Sequence, residues 1–68
     1  MDEDLKNKIL FEIGPYVSDI SFFKKLLEKC DSLDDFKRKL NELLEKENDI
    51  TKKTDIQIVI DKLNTIKL

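Results

Sequence analysis

The sequence predicts an all-α protein, a compact bundle of four short amphipathic helices, and three observations carry that prediction. Acids precede bases by four residues at Asp2 and Lys6, Asp4 and Lys8, Asp34 and Arg38, Asp35 and Lys39, and Glu42 and Lys46. That order suits the helix dipole and lets neighbouring turns attract, so it marks exposed helix faces. Apolar residues recur at helical spacing, as at Leu33, Phe36, Leu40 and Leu43, which supplies a buried stripe opposite those charges. Capping residues stand in front of the stripes, as Ser32 does before Leu33.

The first helix is expected over residues 2–13, with an acidic first turn that matches the positive end of the dipole. Gly14-Pro15 then breaks it: glycine suits a left-handed stop position, and proline lacks the N–H that would continue the ladder. The second helix is expected over 18–30, capped by Ser18, with Val17 and Phe22 placed as a hydrophobic staple. Pro15 at a first helical position is an alternative start.

The third helix, 33–47, has the clearest signature: Ser32 as cap and Asp35 where a capping-box acid answers. Residues 48–53 read as a polar connection with Ile50 as its one apolar anchor. Thr54 and Gln57 form a second capping box, opening a fourth helix over 55–67. Ile56 to Ile60 also fits a strand, being rich in β-branched residues that partly alternate. The stripe Ile56, Val59, Ile60, Leu63 and Ile66 fits a helix better.

A chain of 68 residues is read as a single helical domain, 1–68. At that size only about 60% of the surface of the unfolded chain is hidden, so the core is small. Such domains lean on a disulfide, a metal or a second copy. Cys30 is the sole cysteine and histidine is absent, which excludes an internal disulfide and removes the commonest transition-metal ligand and neutral-pH acid–base group. Self-association is the support that is left. With 13 basic and 15 acidic side chains the formal charge is −2, neither a polyanion-seeking protein nor an acidic tail. The hydrophobic fraction, 40%, is enough to fold. Alanine is absent; since alanine is the best helix former, this reflects codon usage in an AT-rich genome and carries no function.

Met1-Asp2-Glu3-Asp4 offers no basic and then apolar leader, so no signal peptide is read. The longest apolar runs, Ile9-Leu10-Phe11 and Ile58-Val59-Ile60, are too short to span a bilayer. A cytoplasmic, intracellular protein without a membrane partner is expected.

Projected at about 100° per residue, helix one gathers Leu5, Ile9, Leu10 and Ile13 and leaves Phe11 outside that face. Helix four leaves Ile58 opposite its stripe, and helix two has a wide face including Phe22, Phe23, Leu26, Leu27 and Cys30. Phe11 and Ile58 are therefore the residues a folded monomer does not need, and candidates for one exposed apolar patch.

Other groups are weighed against their structural roles. Cys30 continues the Phe22–Leu26 stripe and has no histidine to activate it, so it reads as a small buried apolar residue. Asp31, Asp34 and Asp35 cluster where a helix start favours acids, and neither they nor Glu42 and Glu45 match a calcium loop. No metal, cofactor or catalytic residue is expected. Lys37-Arg38-Lys39 is the dense basic run, and the turn between helices two and three is about as short as a helix-turn-helix requires, although it lacks the glycine often found there. The acidic stretches 31–35 and 42–49 flank it, however, and the field largely cancels. Tyr16 is expected to pack its ring at the Gly-Pro corner and keep its hydroxyl wet.

Leu40 to Lys46 together with Asp61 to Ile66 resembles the short helical hairpins of sporulation-type aspartyl-phosphate phosphatases. That family's Ser-Gln-Glu-Leu-Asp signature would fall on Ile60-Asp61-Lys62-Leu63-Asn64, where the serine and the final aspartate are both missing. The resemblance implies a helical hairpin and no phosphatase.

The function expected is a small non-enzymatic protein–protein interaction or regulatory module. It would self-associate, most simply as a homodimer, by burying Phe11, Ile58 and part of the Phe22–Phe23 face. The second reading is a small dimeric nucleic-acid-binding regulator using Lys37, Arg38 and Lys39.

Overall fold

The computed structural model describes residues 1–66 and contains four α-helices: α1 Glu3–Ile13, α2 Ile20–Glu28, α3 Leu33–Lys46 and α4 Ile50–Thr65. A single 3-10 turn, Gly14–Tyr16, joins α1 to the approach to α2. Helix α3 packs along α4, α4 along α1, and α1 along α2. The radius of gyration, 10.9 Å, is that of a compact chain of this length, about 11 Å, so the helices share one core.

That core takes Ile9 and Ile13 from α1, Phe23 and Leu27 from α2, Cys30 from the turn that follows, Phe36 and Leu40 from α3, and Ile56, Val59 and Leu63 from α4. Each large side chain so buried contributes about 1.5–3 kcal/mol of transfer free energy. The stripes expected from helical projection are thus the buried ones, with Leu5, Leu10, Ile60 and Ile66 packed around them. The strand reading of 56–60 is overturned, since those residues lie in the middle of α4.

The helix starts differ from expectation in two places. Helix α4 opens at Ile50, so the expected polar connection is its first turn and Ile50 is no anchor, being 79% exposed. Asp49 is the cap: its Oδ1 accepts the Thr51 and Lys52 N–H groups at 2.9 and 3.4 Å. Two orphan donors satisfied by one carboxylate outweigh the Thr54–Gln57 box. Inside the helix, the Thr54 hydroxyl donates back to the Ile50 carbonyl at 2.8 Å and Gln57 donates to Asp61 at 3.0 Å. The helix closes at Thr65, whereas the expected end, residue 67, lies outside the described residues.

Helix α2 is capped by Asp19, whose Oδ1 accepts the Phe22 N–H at 3.3 Å, and Ser18 is not the cap. The helix also ends earlier, at Glu28, with the Cys30 N–H turning back to the Leu27 carbonyl at 3.1 Å. Gly14 is right-handed helical (φ −50°, ψ −47°), not left-handed. Its part is steric: a residue before proline resists the α region because its Cβ meets the proline ring, and glycine has no Cβ.

Helix α3 follows its signature. The Ser32 hydroxyl accepts the Asp35 N–H at 3.2 Å, and Asp35 Oδ2 answers by accepting the Asp31 N–H at 3.4 Å, one residue before the cap. Of the five expected i,i+4 charge pairs, the described residues form Asp35–Lys39, at 3.9 Å. Asp2 instead caps α1, Lys6 reaches Glu3 at 3.6 Å, and Arg38 reaches Asp35 at 4.0 Å in place of Asp34. These pairs are at the surface and stabilise little.

Candidate functional site

Phe11 projects from α1 away from the core and is 80% exposed, as the projection requires. Ile58 is half-buried in a shallow depression on α4 that it shares with Asp61, Lys62 and Thr65. Lys62 also places its Nζ 3.9 Å from the centroid of the Tyr16 ring, a cation–π contact. Tyr16 therefore stands on α4 while about half exposed, and Lys62 touches its ring and also lines the depression that holds Ile58, which Tyr16 does not line. Phe11 does not line that depression.

The two phenylalanines of α2 separate. Phe23 is 1% exposed and belongs to the core, so it presents no surface to a partner. Phe22 is half-buried and meets Phe23 edge to face, ring centroids 5.1 Å apart at 86°, the arrangement aromatic quadrupoles favour. Both rings line a depression of about 190 Å³ between the N-terminal ends of α2 and α4, with Ser18, Asp19, Asp49, Thr51, Lys52 and Asp55.

Asp55 is the residue the sequence reading missed. It is 7% exposed, and its Oδ2 accepts the Ser18 backbone N–H at 2.9 Å. A signal existed: Asp55 lies four residues before Val59 and eight before Leu63, so it falls on the buried stripe of α4. A carboxylate on an apolar stripe needs a partner or a purpose.

Within the basic run, Arg38 and Lys39 both approach Asp35, at 4.0 and 3.9 Å, while the Lys37 side chain forms no ion pair among the described residues; the Lys37 backbone carbonyl accepts a hydrogen bond from the Asn41 side chain at 3.0 Å. Cys30 is buried, and its thiol donates to the Leu26 carbonyl at 3.1 Å. Burial raises the thiol above its ordinary value of 9.0; Asp35 and Asp31 add to this, while Lys39 and the Met1 ammonium oppose it. Such a thiol is a poor nucleophile. Among the described residues no grouping of cysteine or acidic side chains is arranged to hold a metal ion, and no helix is long and apolar enough to cross a membrane.

Comparison with known proteins gives kinship without chemistry. A Methanocaldococcus jannaschii protein that carries the name Uncharacterized protein MJ1579 is 46% identical over 59 residues, 87% of this chain and 84% of the relative. No solved structure matches the chain. The MJ1579 family matches residues 3–67, a span that takes in all four helices and both surfaces described above. The chain is a member of the MJ1579 family.

Proposed function

We propose that this protein is a small non-enzymatic interaction or regulatory module that pairs with a second copy of itself through an apolar helix surface. The observation that supports it is the exposure of Phe11, 80%, in a protein whose core is small. A phenylalanine held in water on a rigid helix forgoes about 1.5–3 kcal/mol that an interface would return. Ile58 and Tyr16 supply further apolar surface, and Lys62 and Asp61 beside them supply charges of both signs for a rim. Phe22, half-buried where Phe23 is fully buried, is the part of the α2 face that remains available.

A folded state that is stabilised by association melts higher as the protein becomes more concentrated. The melting temperature of the natural sequence is expected to rise with concentration over a hundredfold range, and that of Phe11→Ser to stay flat. A melting temperature independent of concentration in both would remove self-pairing from the account.

A further inference from the structure

We propose that the strip of α2 formed by Asp19, Phe22, Leu26 and Lys29, together with Leu43 of α3, docks one amphipathic helix of a partner protein laid antiparallel to α2. The bundle is open on this side: α1 is the helix that packs along α2, whereas α3 packs along α4. Phe22 and Leu26 are half-buried and pack against the core from its edge, as does Leu43. Phe22 borders a depression of about 190 Å³ against α4. Leu26 borders one of about 200 Å³ against α3, which Leu43 also lines. Standing one turn apart on α2, the two side chains join these depressions into a seam.

The seam carries opposite charges at its two ends. Positions 19, 22, 26 and 29 follow the three-four-three spacing that turns one strip of a helix toward a partner helix. They read acid, apolar, apolar, base, and both charged residues are exposed. At the Leu26 depression, Lys39 and Lys46 stand against one acid, Glu42. A complementary helix sets a base over Asp19 and an acid over Lys29, with two apolar residues between them. Laid antiparallel, it carries the acid near its N-terminus and the base near its C-terminus, the order its own dipole favours. Laid parallel, it would carry them in the unfavourable order, so the charges select a direction as well as a partner. The α2 of a second copy has the same order of charges, but its Phe22 and Leu26 are themselves half-buried and do not reach into two depressions. A helix with free apolar side chains does. Phe11 lines neither depression, so this contact is independent of self-pairing through Phe11.

The probe is an alanine-rich helical peptide of about fourteen residues that carries Glu, Leu, Leu and Lys, in that order, at the three-four-three spacing. It is titrated into the whole chain and followed by amide NMR. One control peptide exchanges the Glu and the Lys, and another replaces both leucines by serine. Saturable shifts at Phe22, Leu26, Lys29 and Leu43 are expected with the first peptide. The exchanged peptide is expected to bind about threefold more weakly or worse, and the serine peptide not at all. A spin label at the N-terminus of the first peptide is expected to broaden the Lys29 amide and spare that of Asp19. Lys29→Glu, at an exposed position, keeps the fold and is expected to remove the preference between the two charged peptides. Phe11→Ser is expected to leave the affinity unchanged, so loss of self-pairing and loss of docking are read separately. No shifts, equal binding of the exchanged or the serine peptide, or broadening at Asp19 in place of Lys29 would overturn the proposal. Shifts at Phe22 and Leu26 on concentrating the protein alone would overturn it too, and give the strip to a second copy.

Discussion

The Asp55 carboxylate accepts the Ser18 backbone N–H at 2.9 Å, across 37 residues of chain. This bond ties the approach to α2 onto the first half of α4, and both helices place side chains in the shared core. It joins a charged acceptor to a backbone donor in a half-dry setting, where such bonds contribute about 1.5–3 kcal/mol. Asp55→Ala is expected to lower the unfolding free energy by about 2 kcal/mol, because it leaves the Ser18 N–H without an acceptor. Asp55→Asn retains an acceptor and is expected to recover about half of that loss. Urea unfolding of the three proteins checks the order; an Asp55→Ala protein as stable as the natural one would show that the bond carries no weight.

The start of α4 rests on Asp49 and not on Thr54. Asp49→Ala is expected to cost about 1 kcal/mol and to fray residues 50–53. Thr54→Ala removes only a back-bond to the Ile50 carbonyl, of the kind that helices do not need, and is expected to change stability by less than about 0.3 kcal/mol. Denaturant melts give the energies, and amide exchange at residues 51–53 shows which residue holds the turn.

Cys30 links stability to alkaline pH. Its thiol is held protonated chiefly by burial, so the folded-state value lies above the unfolded one. The contribution is therefore complete below the ordinary value of 9.0 and is lost as pH rises through the folded-state value. The stability of the natural sequence is expected to fall more steeply above pH 9.0 than that of Cys30→Ala, while the thiol reacts slowly with a disulfide reagent until the protein unfolds. Parallel alkaline limbs for the two proteins would contradict this reading.

How much of this was legible depends on where the deciding partner lies. Helix α3 was readable because Ser32, Asp35 and the Phe36–Leu40 stripe are local to one another. Phe11 was readable because a projection needs only the helix it stands on. The start of α4 was misread because Thr54 and Gln57 satisfy a spacing rule, yet nothing in 48–53 stops a helix and Asp49 offers the stronger cap. The charge pairs were only partly readable: spacing permits Asp34–Arg38, but Asp35, already held at the cap, collects both Arg38 and Lys39. Asp55 was not read at all, since its partner is a backbone N–H 37 residues away. Its place on the α4 stripe was the only clue.

Sedimentation equilibrium of the purified protein over a wide concentration range, at low and high salt, is expected to show reversible association to a dimer that is nearly indifferent to salt, since apolar burial carries it. Phe11→Ser, which acts twice in a symmetric pair, is expected to weaken the dimer by about two orders of magnitude. Ile58→Ser is expected to weaken it less, and Lys37→Glu with Lys39→Glu to leave it unchanged. A monomer at every concentration would contradict the account, as would an assembly that survives Phe11→Ser and dissociates when Lys37 and Lys39 are reversed in charge.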